Sequence, residues 1–586
     1  MTFLVLALAM ALVAPRAAAQ DNVWRCRVAI PDPHLGRVDV EVLIPNAAAG
    51  ETRLAFPERL DGRLTRDNPA AWVTDLIADD GNNPLPVTRR SLREVVVNRT
   101  TPGDIRLRYR RTKCLGSESV FDVRADGASW IGAALFPTMV ERTSPVSVEV
   151  SAPHGWTASA SIPGEGAFRW MAPNGSVLDA SRFHVGKFEE WRSEGKPWSL
   201  VVVADRPLAA LGEPTLKFVT ALVNQADRTL SPVPLTGISL HVLPDGPDRP
   251  ETLVSGSSID VRVKGRIDES TVRTQALAAL ARGLVRLRIP GKSAPEGWRT
   301  STTPSDPATS LAWFTEGAAD WIGTLIAIRA EVLPESGLSD FLAARLEADA
   351  RNRSTSSARE QSELMFDRAR RPSPSLTPDP AIRGSLLAAS IDLALRRATE
   401  GARGLEDVMI SLVTSTSSTT FNESKLLHAL DGVDSRAVSA AWFSTFVHGS
   451  ARLDLTEGLA SVGFELDTTE TGGRASLGVT VSGATMKSLT ADSPLRLAGA
   501  REGDTLVGIG TSLLGDPNSE SIEEILSRKR PGDIITVTWR RPDGTVAQKL
   551  VRTNAPLLRF RIGSSPEPSE DIRALKRKFI YAEPRR

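Results

Sequence analysis

Apolar residues in the first third of the chain follow a strand-like pattern. Between about Asp21 and Pro207, the segments RVDVEVLI, DIRLRYRR, VSVEVSA and WSLVVVA alternate apolar and polar positions or run in β-branched residues. Gly, Pro and Asn separate them. A period of two residues is typical of strands with one buried face. The pattern predicts a β-rich N-terminal domain over residues 21–207.

The spacing of apolar residues becomes helical in the middle of the chain. After a few strands such as GISLHVL, the segment DESTVRTQALAALARGLVRLRIP repeats apolar residues every three or four positions and ends at Pro290. Ser270 or Thr271 is its candidate N-cap, and Asp306–Pro307 is the candidate start of a second helix carrying LAWFTEGAADWIGTLIAIRAEVL. The segments GSLLAASIDLALRRA and GLEDVMISLV continue the pattern. We expect a mostly helical domain over residues 208–454.

The last part of the chain mixes short strands with two short helices. SLGVTV, SPLRLAGAREGDTLVGIG, SIEEILSRKRPGDIITVTWRRPDG and VAQKLV follow one another over residues 455–556. Residues 557–586, which include the basic run RALKRKF, are expected to form a solvated tail. The sequence as a whole therefore predicts an α+β multidomain protein.

Composition narrows the function classes. The 586 residues are 41% hydrophobic and 24% charged, which is ordinary for a globular protein. Seventy-one Lys and Arg nearly balance 70 Asp and Glu, so no overall charge recruits nucleic acid or an anionic membrane. We expect no nucleic-acid partner, and the oligomeric state stays open.

The N-terminus indicates export. MTFLVLALAMALV has the length of a signal-peptide apolar region, and APRAAAQ supplies an A-x-A cleavage site ending at Ala19. The first cation is Arg16, after the apolar run, which a start site placed too far downstream would explain. We expect a signal peptide over residues 1–19, a periplasmic location and no transmembrane segment after its removal.

Both cysteines lie near the mature N-terminus. In an oxidising compartment an even number of cysteines favours a disulfide, here Cys26 with Cys114. Two buried free thiols are the alternative. Two cysteines alone do not form a thiolate zinc site.

An acid pair on the second predicted helix raises the question of chemistry. In LAWFTEGAADW, residues 311–321, Glu316 and Asp320 lie four apart and therefore on one helix face. Carboxylates on an otherwise apolar helix need a metal, a cation or a substrate. A solvent-exposed Glu316 is the alternative.

The C-terminal unit resembles a PDZ domain. Ser493–Gly510 is similar to the part of bacterial PDZ domains where a short helix leads to Gly-Asp and a strand, and SLGV, Ser476–Val479, occupies the place of the carboxylate-binding loop. The resemblance implies peptide or protein C-termini as partners, bound by loop N–H groups and added as a strand to the sheet edge. The implied binding residues are Leu477, Gly478, Val479, Ile522, Ile525 and Leu526. A domain that packs on its own chain and binds no free peptide is the alternative.

Upstream of this PDZ-like unit, the middle region resembles the glycyl-aminopeptidase-type metallopeptidases. These gluzincins have a β-rich N-terminal domain, a thermolysin-like catalytic domain and a C-terminal PDZ domain, and the resemblance rests on Trp313, Phe314, Glu316 and Gly317. RGSLLAASIDLALRR and GLEDVM are similar to later helices of the family. The resemblance implies that Glu316 stands at the position of the third zinc ligand, and Asp320 at that of a second-shell aspartate.

The remaining catalytic groups of that family are missing. A gluzincin needs H-E-x-x-H on the preceding helix, whose place here is taken by AALAR, Ala278–Arg282. The six histidines are at positions 34, 154, 184, 241, 428 and 448, so none lies between residues 242 and 427. Each is isolated in the sequence, and we assign none of them a role. Where the family has a catalytic tyrosine, Arg383 stands next to Gly384. We therefore expect no catalytic residue, no metal and no cofactor.

A guanidinium group is the expected replacement for the metal. A buried carboxylate must be neutralised, protonated or paired. Arg282 and Arg286 lie four apart on the helix that would have carried the histidines, and either is a candidate partner for Glu316.

Three functions stay open at this point. The favoured one is an exported, non-catalytic member of the family that binds peptides or protein C-termini through its PDZ domain and vestigial cleft. The alternatives are an active exported peptidase with unrecognised catalytic groups and a structural envelope protein.

Overall fold

The computed structural model describes most of residues 22–581. Its gaps are residues 57–58, 61–62, 65–71, 92, 113–119, 139–142, 193–197, 205–211, 245, 248, 267, 299–308, 352–355, 367–378, 415–419, 472–473, 491–492, 515–518 and 555–556. The signal peptide, Cys114 and the Asp306–Pro307 helix start lie outside the described residues, so these expectations stay predictions. Cys26 is buried.

The chain divides into two compact units. The first comprises Met1–Thr309, Ile322–Leu333 and Glu406–Ala429, and the second comprises Ser310–Trp321, Pro334–Leu405 and Leu430–Arg586. The division into domains at residues 207, 454 and 556 stays a prediction.

The first unit begins with a β-rich region, as its sequence pattern predicts. Its strands are β1 Trp24–Ala29, β2 Arg37–Ala47, β3 Gly50–Ala55, β4 Arg59–Leu60, β5 Arg63–Leu64, β6 Val73–Asp79, β7 Pro84–Leu85, β8 Val87–Arg89, β9 Glu94–Arg99, β10 Gly103–Thr112, β11 Phe121–Arg124, β12 Gly127–Ile131, β13 Val146–Ser151, β14 Thr157–Ala160, β15 Gly164–Gly166, β16 Arg169–Ala172 and β17 Arg182–Gly186. A 3-10 turn at Pro33–Leu35 and the short helices α1 Gly132–Leu135 and α2 Gly175–Asp179 interrupt them.

These strands form several sheets around one apolar core. The largest has the order β15-β16-β13-β1-β2-β10-β6-β7, a smaller one β11-β12-β17-β14, and another β3-β9-β8, while β4 pairs with β5. Strand β2 alternates half-buried and buried residues along RVDVEVLI, which is the pattern its sequence predicts. Trp130 stacks on Phe183 in the core, with ring centroids 5.6 Å apart.

The first unit continues into a mixed sheet flanked by helices. Strands β18 Glu189–Arg192, β19 Ser199–Ala204, β20 Gly237–Leu243, β21 Glu251–Ser255 and β22 Ser258–Lys264 pair in the order β18-β19-β20-β22-β21. The β19–β20 and β20–β22 pairs are parallel. Helices α3 Gly212–Leu230 and α4 Ser270–Arg286 pack against each other. A short parallel pair, β23 Ala294–Pro295 with β24 Thr420–Phe421, also belongs to this unit.

Two details of the helical prediction are corrected. The segment before GISLHVL, where the sequence pattern was expected to give strands, forms the helix α3. It is helical because its apolar residues are spaced for one buried helical face. The buried residues on that face are Val219, Leu222, Val223, Ala226 and Leu230. In α4 the N-cap is Glu269, which makes no side-chain cap hydrogen bond, rather than Ser270 or Thr271.

The remaining helices follow in chain order. They are α5 Ala312–Arg329, α6 Ser336–Arg351, α7 Ala358–Phe366, α8 Pro380–Ala398, α9 Leu405–Thr414, α10 Glu423–Asp434, α11 Ala440–Phe443, a π-helical turn Ser444–His448, and α12 Thr456–Ser461. Helix α8 starts at an aspartate N-cap, since Asp379 accepts a hydrogen bond from the backbone of Ala381. The middle of the chain is therefore mostly helical, as expected, and none of the described helices is long and apolar enough to cross a membrane.

The C-terminal part of the second unit contains a small sheet. Strands β26 Val479–Ser482, β27 Thr485–Leu489, β28 Thr505–Ile509, β29 Ser512–Leu513, β30 Ile534–Arg540 and β31 Val546–Arg552 form a sheet of order β26-β27-β28-β30-β31, with β29 on β28. Helices α13 Pro494–Leu497 and α14 Ile522–Ser527 accompany it. The core of this part includes Leu477, Ile525, Leu526 and Trp539.

The expectation of a C-terminal tail is wrong for residues 557–581. Strand β25 Phe464–Thr471 pairs along its length with β32 Leu557–Ser564, and helix α15 Glu570–Tyr581 follows. Phe579 of α15 is buried and stacks on Trp321, with ring centroids 6.0 Å apart. The basic run RALKRKF therefore lies on an amphipathic helix. Its many charges suggest a solvated tail, but its apolar residues form one buried helical face.

Candidate functional site

Helix α4 carries buried apolar residues in the segment AALAR, where the resemblance implied a metal-binding motif. Ala279, Leu280 and Ala281 have no exposed surface. None of these side chains offers a lone pair to a metal or a proton to a substrate. The helix supplies packing at this point, not ligands.

Helix α5 does bury its acid pair. Glu316 is 5% exposed and Asp320 is 2% exposed, on a helix whose Trp313 and Phe314 are fully buried. Asp320 forms a salt bridge and a hydrogen bond with Arg345 of α6. Both acids are therefore buried, and Asp320 is neutralised by Arg345, which the sequence pattern does not indicate as its partner.

The arginines of α4 are placed as follows. Arg286 is buried, and its Nη1 donates to the carbonyl of Thr252 at 3.2 Å. Arg282 is half-buried and lies against Gly323, where a Cβ would come within 2.9 Å of its Cγ. The pairing of either arginine with Glu316 stays a prediction.

Gly317 of the W-F-x-E-G segment has a packing role. A Cβ added at Gly317 would lie 2.1 Å from the carbonyl carbon of Gly384 on α8, and a Cβ added at Gly384 would lie 2.1 Å from the carbonyl oxygen of Trp313. Helices α5 and α8 thus approach so closely that only glycine fits on either side. The close crossing of α5 and α8 therefore explains why glycine stands at position 317 of the W-F-x-E-G segment.

Arg383 stands where the resemblance implied a catalytic tyrosine. It is 5% exposed, and its Nη2 donates to the carbonyl of Ala451 at 2.6 Å and to that of Phe446 at 3.2 Å. Burial lowers the pKa of the Arg383 guanidinium, while Asp349, 3.8 Å away, opposes that shift. This side chain therefore holds backbone in place and has no hydroxyl to offer to an oxyanion.

The loop that resembles a carboxylate-binding loop is tightly held. Gly478 has φ of 63°, a conformation that favours glycine, and its N–H donates to Ser476 Oγ at 3.0 Å. The carbonyl of Leu477 accepts from Ser493 Oγ at 2.8 Å, and that of Gly478 accepts from the backbone N–H of Thr490 at 2.9 Å. These bonds fix the direction of the loop.

The helix predicted to line the groove is also present. Ile525 and Leu526 of α14 are buried in the core, and Ile522 is half-buried at its margin. A capping box between Ser521 and Glu524 fixes the start of α14. Of the predicted groove residues, Ile522 and Val479 are half-buried and have side-chain surface available to a ligand.

A second polar cluster was missed by the sequence reading. His184 on β17, His241 on β20 and Asp260 on β22 are each less than 5% exposed, and the imidazole rings lie 5.1 Å apart, centroid to centroid. Burial lowers the pKa of both histidines. Burial alone would raise the pKa of Asp260, but Arg182, His241 and Arg262 together hold it well below its usual value. The residues are separated by up to 76 positions in sequence and meet only through strand pairing, so no local spacing signals them. The other four histidines are exposed.

Known proteins agree with the resemblance at the level of fold. Residues 25–184 match the Peptidase M61 N-terminal domain. An aminopeptidase N family protein from Idiomarina loihiensis is similar in structure over 94% of this chain and 99% of that chain, with a TM-score of 0.69 and 16% sequence identity. No curated protein sequence is significantly similar to this chain.

More distant structural matches are M1 enzymes. A zinc metallopeptidase from Deinococcus radiodurans covers 74% of this chain and 94% of its own, with a TM-score of 0.43 and 16% identity. Native leukotriene A4 hydrolase from Saccharomyces cerevisiae covers 75% and 70%, with a TM-score of 0.47 and 12% identity. The chain thus has an M61-type N-terminal domain and an aminopeptidase-like fold, and whether its cleft is catalytic is a separate matter.

Proposed function

We propose that this protein is an exported, peptidase-like protein that hydrolyses no peptide bond and instead binds peptides or protein C-termini. The observation that supports this most is the apolar stretch Ala278–Ala281 on α4, whose last three residues are buried, where an active relative needs two imidazoles and a carboxylate. A metal site built on Glu316 would lack its other ligands. In the part of the chain that the structure describes, Glu316 belongs to no group of three side chains that could hold a metal.

The neighbouring side chains support the same function. Asp320 is engaged by Arg345, and Arg383 replaces a tyrosine and holds backbone carbonyls. Each of these groups is committed to packing or charge compensation. The cleft then serves as a surface rather than as a reaction centre.

The C-terminal region offers a peptide-binding edge. Strand β26 stands at the end of its sheet order, with the loop of Gly478 before it. Among the described strands none pairs with its outer edge, so an extended peptide could add there as a further strand. The N–H of Gly478 points at the Ser476 hydroxyl, a group that a peptide carboxylate can replace as acceptor. We therefore propose that residues 455–556 act as a PDZ domain, with Ile522 contacting the last side chain of the peptide.

Peptide binding is tested on the full chain with a library of C-terminal peptides in free-carboxylate and amidated forms. We expect binding of some free-carboxylate peptides, loss on amidation, and about tenfold weaker binding for Ile522→Glu. Ile534→Glu, at an exposed apolar position on β30, is the matched control and should bind normally. Equal binding of amidated peptides, or no binding by the whole library, would favour a domain that packs on its own chain and a structural role.

Hydrolysis is tested separately with aminopeptidase substrates that start with small residues. We expect no turnover above buffer, with or without added zinc or chelator. Chelator-sensitive turnover that disappears in Glu316→Gln would establish the active peptidase instead.

A further inference from the structure

The first unit contains three potential metal ligands that converge. Ser239 pairs with Asp260 and His241 pairs with Arg262 across the parallel strands β20 and β22, while His184 comes from β17 of the four-stranded sheet. One ligand atom from each of His184, His241 and Asp260 lies within 4.8 Å of the other two. Ligand atoms around one zinc ion lie about 3–4 Å apart when each is about 2 Å from the metal, so small side-chain movements suffice.

The candidate ligand atoms are buried, and two of them have no hydrogen-bond partner among the described residues, His184 Nδ1 and His241 Nδ1. His241 Nε2 and Asp260 Oδ1 are 2.9 Å apart, so these two atoms contact each other. Buried polar atoms are almost always satisfied, so two unpartnered imidazole nitrogens beside a buried carboxylate point to a ligand that uses them.

Outer contacts orient the same side chains. Ser239 Oγ is 2.7 Å from His184 Nε2, and Arg182 Nη2 is 3.0 Å from Asp260 Oδ2. Arg262 Nε is 3.5 Å from the same carboxylate oxygen. Because both guanidinium groups approach Oδ2, Oδ1 is left facing His241. Hydroxyl and guanidinium partners of this kind fix the orientation of metal-ligating imidazoles and carboxylates.

Charge and access restrict which ion fits. The positive charges of Arg182 and Arg262 repel a cation, so a hard ion that relies on several carboxylates is disfavoured. Two imidazoles instead suit zinc and similar transition-metal ions. His184 and His241 line a narrow cleft with Lys187 and Phe188, whose inner volume of ≈ 10 Å³ has room for about one water molecule. The cleft admits an ion but leaves no space for an organic substrate beside it.

We propose that His184, His241 and Asp260 bind one divalent transition-metal ion of the zinc type, which joins the four-stranded sheet to the five-stranded sheet inside the first unit. The site is independent of the proposed peptide-binding function and of Glu316. Water completes the coordination, and because the cleft leaves no room for an organic substrate beside the ion, we assign the ion a structural role.

The test uses the full-length protein stripped with chelator and titrated with Zn²⁺ or Co²⁺. We expect one ion per chain, a tetrahedral Co²⁺ absorption spectrum and a higher melting temperature with metal. His241→Gln and His184→Gln should weaken binding by roughly 100-fold, and Ser239→Ala by about tenfold. Two variants serve as controls, His154→Gln at an exposed histidine and Glu316→Gln, and both should bind normally.

A readout on the wild-type protein covers the case in which a buried variant does not fold. Co²⁺-loaded protein should show hyperfine-shifted N–H proton signals from two coordinated imidazoles. Substoichiometric binding without a melting shift, or a Co²⁺ spectrum without imidazole signals, would overturn the proposal. Metal that is lost in Glu316→Gln but kept in both histidine variants would overturn it as well, and would also count against a non-catalytic cleft.

Discussion

Two buried clusters that contain carboxylates differ in which side chains surround the carboxylate. Helix α5 carries Glu316 and Asp320 in a segment that looks like part of a metal site, yet the preceding helix brings no imidazole and Asp320 pairs with Arg345. The strands β17, β20 and β22 carry His184, His241 and Asp260, which resemble no motif but place two imidazoles beside a carboxylate.

The difference shows what a short motif records. On α5, Trp313 and Phe314 fill the core and Gly317 lets α8 approach, so packing accounts for these three residues of W-F-x-E-G. Metal binding needs several ligands at once, and this packing requires none of them. Ligand convergence is therefore better evidence for a metal than resemblance to a motif.

The largest effect is expected from Gly384→Ala. The added methyl group would overlap the carbonyl of Trp313, so the variant should lose about 3 kcal/mol or more of unfolding free energy or fail to fold. Gly432→Ala on α10, where nothing lies within 4 Å of an added Cβ, should be neutral or slightly stabilising. Thermal unfolding compares the two. A fully stable Gly384→Ala variant would show that packing does not explain the segment.

Removal of the guanidinium partner of α5 should have the next largest effect. Arg345→Leu removes the guanidinium group that neutralises the buried Asp320, at a cost of about 3 kcal/mol in denaturant unfolding. Arg351→Leu breaks an exposed pair with Glu347 on the same helix and should cost less than about 0.5 kcal/mol. Equal effects of the two substitutions would mean that Asp320 does not depend on Arg345.

Zinc should stabilise the protein through the other cluster. At a hundredfold excess over the dissociation constant, binding adds about 2.7 kcal/mol to the unfolding free energy of the first unit. The gain should vanish in His241→Gln and persist in His154→Gln, as followed by melting curves with zinc and with chelator. A gain that survives in His241→Gln would place the ion elsewhere.

Replacement of Arg383 by tyrosine should give the smallest effect. Arg383→Tyr removes hydrogen bonds to the carbonyls of Phe446 and Ala451, so we expect a loss of about 2 kcal/mol and no gain of hydrolysis. Arg397→Tyr, at a half-exposed position of the same helix, is the control and should stay close to wild type. The appearance of peptide hydrolysis in Arg383→Tyr would mean that the cleft still holds its other catalytic groups.

Much of the fold follows from local pattern. The period-two alternation of RVDVEVLI and the helical spacing on α4 and α5 are visible in the sequence, because one-sided burial imposes them. Helices α3 and α15 were missed where polar residues or a basic run mask an amphipathic face. For α15, the burial of Phe579 against Trp321 depends on tertiary packing that no local window contains.

The candidate sites were predictable to different degrees. The i, i+4 spacing of Glu316 and Asp320 predicts that both lie on one face, and both are buried. The partner of Asp320 could not be predicted, because Arg345 lies on another helix. The histidine cluster depends on the register of β20 with β22 and on a strand from a different sheet, neither of which spacing reveals.

The most direct test of the central claim measures peptide hydrolysis and zinc content together in wild type, Glu316→Gln and His241→Gln. We expect no peptide hydrolysis by any of these three proteins. Zinc should be retained in Glu316→Gln and lost in His241→Gln. Chelator-sensitive hydrolysis by the wild type, with both zinc and activity lost in Glu316→Gln, would contradict it.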